Sequence, residues 1–321
     1  MANHDKVGSL NENTSQYLAY LISLNELRWN LSENLLRKIN LGEYPIPKLW
    51  TDDDVMLIKE LGLDESQLKR IRNYQTRIRF NELMREITKS EELGIEIITI
   101  FDKDYPKLLL NRFTKEFPSP IVLFRRGNLK KIGKAAAIVG TRNPTLRARL
   151  IALRLSEQLV KSGYTIVSGL ARGIDELAHT GALKYRAGKT VAILPWMDPL
   201  YPPEHSELAG DIEKRGVIIS DRLSDAKNLM SRFRFVQRNA ITSGISDFVI
   251  AIESDEDGGT IRQAEIAVKQ GVSLYALKPK NSERAQRGFN KLLSLGAKPF
   301  EEVEDLISQT KSNKERTLDM E

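Results

Sequence analysis

The sequence predicts an α/β protein with a Rossmann-like, doubly wound and mostly parallel β-sheet, preceded by a small helical domain. The first observation is a series of short apolar runs rich in β-branched residues: AAAIVG (135–140), YTIVSG (164–169), TVAILP (190–195), GVIIS (216–220), DFVIAIE (247–253) and VSLYALK (272–278). The second is that helical patterns separate these runs, at about 145–162, 173–187, 206–214, 234–245 and 260–270. Apolar strands that alternate with helices are typical of a parallel sheet covered on both faces, with right-handed crossovers.

The third observation concerns the residues before this pattern, which repeat at helical spacing. Between residues 15 and 89, apolar residues recur three and four positions apart, for example at Val55, Ile58 and Leu61. This spacing puts apolar side chains on one face of a helix. A small helical domain is therefore expected before the sheet.

Part of the helical region carries the signals of two short helices joined by a tight turn. Asp52 is suited to cap the start of a helix, and Gly62 is suited to end it. Residues 52–72 therefore fit a small helix–turn–helix or helix-hairpin-helix unit. A helical packing or partner-binding module explains the same signals.

The character of the chain changes again on either side of the alternating pattern. Residues 95–127 contain two strand-like runs around a turn and a short helix, which we interpret as a connector that packs against the sheet. We therefore expect a disordered tail (1–12), a helical domain with a helix-hairpin-helix or SAM-like unit as one interpretation (13–92), a Rossmann-like domain with its connector (93–300), and a C-terminal helix and tail (301–321).

The composition narrows the classes of function. The 321 residues include no cysteine, which removes disulfides, thiolate metal sites and cysteine nucleophiles and agrees with a reducing cytoplasm. The three histidines are too scattered along the sequence for a metal cluster, and no signal peptide or membrane span is recognisable. We expect a cytoplasmic protein with no membrane partner and without metal, cofactor or catalytic residues. The net charge of +6 permits a polyanionic partner but does not identify one.

Three of the strand runs end in glycine-bearing turns that open a helix. They are Gly140–Thr145, Ser168–Asp175 and Glu253–Thr260. In a doubly wound sheet, ligands bind beyond the carboxyl ends of the strands, near the point where the strand order reverses. In the first turn we expect the final threonine to cap its helix and the free N–H groups beside it to form an anion site. Because Arg142 and Arg172 add forked donors suited to phosphate, we predict a phosphate-binding edge.

Two stretches of the sequence, 134–156 and 226–246, contain no acidic residue. The first carries Arg142, Arg147, Arg149 and Arg154, and the second carries Lys227, Arg232, Arg234 and Arg238 beside Phe233 and Phe235. Basic side chains interleaved with aromatic ones suit a single nucleic-acid strand, because phosphates are neutralised while bases stack. A solvated helix face is the alternative explanation. Since both stretches adjoin the ligand edge, we predict that they contact DNA.

Two further groups of polar residues have structural explanations. Asp175 and His179 lie four residues apart on one helix face, which is open to acid–base chemistry. More often such an acid stabilises the helix dipole and such a histidine bonds a neighbour. The acidic run Glu253–Asp257 suggests a metal, but a solvated turn, or contact with base edges or a ribose, fits it better.

Several segments resemble one known family in their order and spacing. They are IVGTRNPT (138–145), IVSGLARGIDELAHTGAL (166–183), YPPEHSEL (201–208), QRNAITSGISDFVIAIES (237–254) and GFNKLLSLGAK (288–298). Ahead of them, FDKDYPKLL (101–109) and PSPIVLFRRGN (118–128) resemble the segment that precedes that family's Rossmann core. Over about residues 95–299 the chain is similar to the DNA-processing protein A (DprA/Smf) family of DNA recombination mediators.

The resemblance implies a binding protein and not an enzyme. Such a protein would bind single-stranded DNA, form a homodimer, and help load a RecA-type recombinase on incoming DNA during transformation of competent cells. The family's DNA pocket would correspond here to Gly140, Thr141, Arg142, Ser168, Gly169, Arg172, Arg238 and Asn239. Reasoning from the turns and the basic stretches adds Gly173, Arg232, Arg234, Gly258, Gly259 and Thr260 as expected contacts. For the dimer, an exposed apolar face formed by Phe248–Ile252 and Leu274–Leu277 is our candidate interface.

Two alternatives remain open at this point. The Gly258-Gly259-Thr260 turn followed by Glu265 is similar to the lysine-decarboxylase-like LOG proteins, which bind nucleotides and cleave a base from a ribose phosphate. That hypothesis requires Glu265 to lie near a ribose in the pocket. The second alternative is a divergent member of the family that senses nucleotides or DNA in a defence role.

Overall fold

The computed structural model describes residues 12–45, 48–73, 77–112, 114–129, 131–224, 232–280 and 282–318. The predicted disordered tail therefore lies outside the described residues, except for Glu12, which begins a helix. The chain folds into two compact units. The first holds the described residues up to Lys103 together with Pro120–Leu123, and the second holds Asp104–Ser119 and the residues from Phe124 onward. The domain boundaries drawn from the sequence remain a proposal.

The first unit is helical apart from its last strand. Its elements are α1 (Glu12–Leu27), a 3-10 turn (Arg28–Asn30), α2 (Glu33–Asn40), α3 (Lys48–Thr51), α4 (Asp54–Leu61), α5 (Glu65–Asn73), α6 (Arg77–Glu92) and β1 (Glu96–Thr99). Fully buried leucine and isoleucine side chains form its core, among them Leu21, Leu24, Leu35 and Ile39. Burial of these apolar side chains stabilises helices that are too short to persist alone.

The turn between α4 and α5 is closed by its own side chains. Asp53, and not the predicted Asp52, caps α4, because its carboxylate accepts the N–H of Met56 at 2.9 Å. Gly62 ends the helix as predicted, in a left-handed conformation with φ of 65°. The carboxylate of Asp64 then accepts the N–H of Gln67 at 2.8 Å at the start of α5. The helix–turn–helix geometry is thus present, whereas its identity as a helix-hairpin-helix unit stays a prediction.

The buried face of α4 differs from the face that the spacing indicated. Leu57 and Leu61 are buried, whereas Val55 is 75% exposed and Ile58 is 42% exposed. Apolar residues occur on both sides of this short helix, so the repeat alone left two possible faces. The neighbouring helices of the unit select one of them.

The second unit contains a sheet with the predicted strands and one additional short strand. They are β2 (Val122–Gly127), whose first two residues belong to the first unit, β3 (Ala135–Gly140), β4 (Thr165–Ser168), β5 (Thr190–Ile193), β6 (Val217–Ser220), β7 (Phe248–Ile252), β8 (Ser273–Leu277) and β9 (Lys298–Phe300). The order is β2-β6-β5-β4-β3-β7-β8-β9. All neighbours from β6 to β9 are parallel, and β2 is antiparallel to β6.

The helices that flank these strands lie at the predicted positions, with one further helix after β8. They are α7 (Lys107–Asn111), α8 (Leu146–Lys161), α9 (Ile174–Lys184), α10 (Ser206–Arg215, after a 3-10 turn at Pro203–His205), α11 (Arg232–Gly244), α12 (Gly259–Lys269), α13 (Glu283–Ser294) and α14 (Val303–Leu318). One apolar cluster joins the sheet to α8, α9 and α14, and α12 packs separately against β3, β7 and β8. The predicted fold class, a doubly wound and mostly parallel sheet after a helical region, is confirmed.

The strand order reverses at β3, and this reversal creates the position for a ligand. Strands β4, β5 and β6 lie on one side of β3, and β7, β8 and β9 lie on the other. The turn after β3 leads towards β4 and the turn after β7 leads towards β8, so the two connections diverge. A crevice therefore opens between the carboxyl ends of β3 and β7, where doubly wound sheets bind their ligands.

Three features differ from the sequence prediction or were missed by it. The chain before its C-terminal helix contains α13 and the short strand β9, which the apolar pattern did not reveal, and α14 has 16 residues where a short helix was expected. The proposed dimer face on β7 and β8 is wrong, because Phe248–Ile252 and Leu274–Leu277 are buried within the sheet. Within the described part of the chain, no helix is long and apolar enough to cross a membrane.

Candidate functional site

The carboxyl ends of β3, β4 and β7 border a cavity of about 380 Å³. This volume lies within the range of small-ligand pockets. Nine of the predicted contact residues line it: Gly140, Thr141, Arg142, Gly169, Arg238, Asn239, Gly258, Gly259 and Thr260. The lining does not include Ser168, Arg172, Gly173 or Arg234, nor Arg232, whose side chain lies outside the described residues. The fold thus brings together parts of all three predicted turns and one helix that precedes β7.

The turn after β3 holds Arg142 on an anchored backbone. A Cβ at Gly140 would overlap the carbonyl oxygen of Ile252, so only glycine allows β3 to pass this close to β7. Thr141 N–H donates to the carbonyl of Glu253 at 2.9 Å, and its own carbonyl accepts the N–H of Ile174 at 3.2 Å. Among the described residues, the exposed Arg142 side chain has no hydrogen bond or ion pair. Its guanidinium is therefore available to a ligand.

The end of the same turn differs from the expected anion site. Thr145 does cap α8, since its hydroxyl oxygen accepts the N–H of Ala148 at 3.3 Å. The N–H and hydroxyl of Thr145, however, both donate to Oε2 of Glu253, at 2.9 and 2.8 Å. A carboxylate of the protein thus occupies the helix start that we expected to be free for a phosphate. Of the acidic run, Glu256 and Asp257 are exposed in a turn, as expected, whereas Glu253 is bound to Thr145; contact of the run with a base or ribose stays a prediction.

The turn after β4 lies beneath the guanidinium of Arg238. Gly169 leaves room for this group, because a Cβ there would overlap Nη1 of Arg238 and lie 2.8 Å from a carboxylate oxygen of Asp175. Ser168 is fully buried and donates its hydroxyl to the carbonyl of Ile138 at 2.7 Å. It therefore supports the sheet and does not line the cavity, contrary to its predicted role as a contact.

Arg238 and Asp175 form the charged base of the cavity. Nη1 of Arg238 donates to the carbonyl of Ile193 at 3.2 Å, while its Nε has no hydrogen-bond partner in the described structure. Burial lowers the pKa of Arg238, and the negative charge of Asp175 opposes that effect. Burial raises the pKa of Asp175, which Arg238 opposes in turn. Because Arg238 lines the cavity, its guanidinium charge faces an anion bound there.

Arg172 and Gly173 occupy the outer part of the same turn. Arg172 is exposed, and its guanidinium is paired with the carboxylate of Glu204. Gly173 has φ of 82°, and a Cβ there would lie 2.6 Å from the carbonyl oxygen of Thr141 and 2.7 Å from that of Arg142. Gly173 therefore supports the Arg142 turn from behind, and Arg172 does not reach the cavity.

A cation that the sequence analysis missed lies beside the turn after β7. Gly258 is the N-cap of α12, and Gly258–Thr260 line the cavity with the backbone of the helix start. Arg284 of α13 also lines the cavity and makes a two-pronged ion pair with Asp255. No signal near Arg284 placed it at the strand ends, because α13 itself was not predicted.

The helix α11 lines the cavity with polar and aromatic side chains. Asn239 and Phe235 line the cavity together with Arg238, whereas the guanidinium of Arg234 donates to Gln237 at 3.0 Å. Phe235 also packs edge-on against two aromatic residues beyond β5, Trp196 and Tyr201, at ring-centre distances of 6.2 and 6.4 Å. One predicted aromatic residue thus belongs to the cavity, where it packs against Trp196 and Tyr201.

The residues considered for catalysis do not converge on the cavity. Nδ1 of His179 lies 2.7 Å from Oγ1 of Thr190, which itself donates to the carbonyl of Ile166, so the histidine donates to the threonine and not to Asp175. Glu265 is absent from the cavity lining. Among the described residues, no group of three or more His, Asp or Glu side chains could hold a metal ion.

The fold and the cavity define the class of protein. It is a doubly wound α/β protein with arginines gathered at the switch point of the sheet, the place where proteins of this fold bind ligands. Residues 96–311 match the family described as DNA recombination-mediator protein A. The chain belongs to this DprA/Smf family.

Relatives of known sequence agree with the family assignment. The chain is 31% identical over 233 residues to DNA processing protein DprA of Bacillus subtilis, covering 72% of this chain and 76% of that protein. It is 34% identical to protein Smf of Synechocystis over 218 residues, covering 66% of this chain and 53% of that protein. This chain therefore spans about half of the Synechocystis relative.

Two solved structures share the fold. DNA processing protein A of Streptococcus pneumoniae superposes with a TM-score of 0.64 at 24% identity, covering 91% of this chain and 97% of that one. DNA processing protein A of Helicobacter pylori superposes with a TM-score of 0.58 at 27% identity, covering 68% of this chain and 96% of that one. The latter structure is described as revealing a single-stranded DNA binding mode of the Helicobacter protein.

Proposed function

We propose that this protein binds single-stranded DNA in the cavity at the switch point and acts as a recombination mediator. In this role it helps load a RecA-type recombinase on incoming DNA, in the cytoplasm and as a homodimer. It acts by binding and not by catalysis. Membership of the DprA/Smf family and the single-stranded DNA binding described for the Helicobacter relative support the proposal.

The observation that carries the proposal is the convergence of arginines on one cavity. Arg142, Arg238 and Arg284 all line it, the last of them paired with Asp255, and the first two come together from positions 96 residues apart in sequence. Guanidinium groups bind phosphate through paired donors. The start of α12 adds backbone N–H groups with the favourable end of the helix dipole. Together these groups suit a phosphate backbone.

The remaining lining suits the unpaired bases of a single strand. Asn239, Thr242 and Gln263 are neutral polar side chains that line the cavity between the charged groups. Such amides and hydroxyls donate to and accept from base edges or sugars. Phe235 adds to this lining an aromatic ring, the kind of group on which bases stack. A duplex keeps its bases stacked inside, so these groups favour a single strand.

A binding titration tests the proposal directly. A fluorescent oligothymidylate is titrated with wild type and with Arg142→Ala at several salt concentrations, beside a duplex of equal length. Wild type should bind the single strand more tightly than the duplex. Loss of the Arg142 guanidinium should weaken single-strand binding by about 1–3 kcal/mol and reduce the slope of log affinity against log salt by about 0.7.

The chain offers a matched control for this substitution. Arg186 is also exposed, but it lies in the turn that precedes β5, at the amino ends of the parallel strands. Arg186→Ala removes the same charge from the opposite edge and should leave affinity and salt slope unchanged. If wild type binds no single strand at moderate salt, or if both variants lose affinity equally, the proposed function is wrong.

The finer parts of the proposal have separate tests. Recombinase loading is measured as the rate at which a RecA-type protein coats DNA covered by single-strand binding protein, with and without this chain. Light scattering gives the oligomeric state. Release of free base from nucleoside monophosphates would contradict the assignment as a non-enzyme.

A further inference from the structure

The carboxylate of Glu253 occupies an unusual place at the end of β7. Its backbone is left-handed, with φ of 53°, which is uncommon for a residue with a side chain. Its carbonyl accepts the N–H of Thr141 at 2.9 Å, and its Oε2 accepts both donors of Thr145, at 2.9 and 2.8 Å. One residue therefore holds both ends of the turn that carries Arg142.

We propose that Glu253 is a positioning residue that fixes the Arg142 turn for phosphate binding. The inference rests on the proposed function, because it concerns how the same site is prepared. Arg142 lies between the two anchored ends, and its side chain makes no hydrogen bond or ion pair among the described residues. Without Glu253, the end of the turn at Thr145 would lose both of its bonds to β7.

Glu253 is the tether between β7 and the Thr145 end of the turn, which is otherwise held through α8. Gly173 and Ile174 contact the turn only near Thr141 and Arg142, through the close approach of Gly173 and the bond from the N–H of Ile174. Nothing in these contacts restrains Thr145. A binding loop that is ordered before the ligand arrives loses less conformational entropy on binding, which increases affinity.

A second interpretation of the same contacts makes the opposite prediction. The carboxylate lies at the start of α8, where a phosphate would also be stabilised by the helix dipole. If Glu253 merely occupied a phosphate site, its removal would strengthen DNA binding. If it positions Arg142, its removal weakens binding although a negative charge has been taken away.

Two substitutions separate the hydrogen bonds from the charge. Glu253→Gln keeps an oxygen that accepts both donors of Thr145 but removes the negative charge. Glu253→Ala removes both. Gln and Ala each have a Cβ, as Glu does. The left-handed backbone at position 253 therefore disfavours all three residues to a similar degree. We expect Glu253→Gln to bind the oligothymidylate at least as tightly as wild type, and Glu253→Ala to bind about fivefold more weakly.

A matched control lies in the turn after β7, which also contains Glu253. Glu256 is exposed, and its nearest cation is Arg287, at 3.8 Å and outside the lining of the cavity. Glu256→Ala removes an equal charge from the neighbouring segment without touching Thr141 or Thr145. It should not weaken binding. A fivefold loss of DNA affinity in Glu256→Ala would show that the effect does not depend on the bonds of Glu253 to Thr145. That result would overturn the proposal.

A double-mutant cycle tests whether Glu253 acts through Arg142. In the Arg142→Ala background, Glu253→Ala should change affinity by less than about twofold, because the residue it positions is absent. An equal loss in both backgrounds, or a gain in affinity for Glu253→Ala alone, would overturn the inference. A merely destabilised protein would show that equal loss, so the cycle distinguishes positioning from unfolding.

Hydrogen exchange gives a readout that needs no DNA. The Thr145 amide should be protected in wild type and in Glu253→Gln and should exchange faster in Glu253→Ala, while amides in β3 keep their protection. Failure of wild type to bind DNA would refute the proposed function and leave this measurement intact. Unchanged Thr145 exchange in Glu253→Ala would refute the inference alone.

Discussion

The turns after β3 and β4 look alike in sequence, yet the structure uses their arginines differently. Each turn combines glycine, a hydroxyl residue and one arginine before a helix. Arg142 lines the cavity with its guanidinium unpaired among the described contacts, whereas Arg172 is exposed, lies outside the cavity and is paired with Glu204. The turn after β4 contributes to the site mainly through Gly169, by leaving space for Arg238. Two similar turns thus have different roles: the turn after β3 presents an arginine to the cavity, and the turn after β4 leaves space for one.

The largest effect should come from filling the space above Gly169. In Gly169→Ala the new methyl group would overlap Nη1 of Arg238, a collision that must displace the guanidinium or the turn. Loss of a buried charged contact predicts single-strand binding weaker by about 2–4 kcal/mol, measured by the same titration. Gly210→Ala is the control, because no atom lies within 4 Å of the new methyl in α10. Equal affinity of Gly169→Ala and wild type would exclude Arg238 from binding.

The next effect compares the two arginines directly. Arg142→Ala should weaken single-strand binding by about 1–3 kcal/mol, because a charged donor to phosphate is lost. Arg172→Ala should cost no more than about 0.5 kcal/mol, since only an exposed ion pair is removed. Parallel titrations of the two variants give the ratio of their affinities for the single strand. Equal losses would mean that both turns contact DNA, and the contrast between them would disappear.

A third test concerns His179, a buried residue of α9, the helix that follows the turn after β4. Burial lowers the pKa of His179 to about 3, assisted by the charges of His205 and Arg238. Between about pH 6.5 and 3 the unfolded chain therefore binds a proton that the folded chain does not, so stability falls as pH falls. From pH 6.5 downward the loss should reach about 1.4 kcal/mol per pH unit, measured by urea unfolding. The pH dependence should be shallower in His179→Gln, and an equal slope would contradict the pKa shift.

The smallest effect should follow from freeing Arg172. Glu204→Ala removes its ion-pair partner without altering the position of Arg172 outside the cavity lining. Because an exposed pair contributes little, we expect single-strand affinity to change by less than about twofold. A large gain in affinity would show that pairing, and not position, keeps Arg172 from DNA.

Much of the fold followed from local patterns. Apolar β-branched runs of strand length, such as those that became β3 and β7, indicate a buried parallel strand wherever they occur. The short strand β9 has three residues, of which only Phe300 is buried, and gave no such pattern. For the candidate site, Gly140 ends β3, and Arg142 and Gly258 lie in the turns that follow β3 and β7, so the rule about strand ends located them. Arg284 lies in α13, a helix that the pattern had not revealed.

Local patterns were enough to predict most of the strands and helices and the edge of the sheet at which a ligand would bind, because these depend on residues close together in the chain. Tertiary structure decided which charges remain available there. Glu204 reaches Arg172 across 32 residues, Glu253 reaches Thr145 across 108, and Asp255 reaches Arg284 across 29. Electrostatic pairing depends on distance in space, and the strand order that sets this distance is not readable from any local pattern.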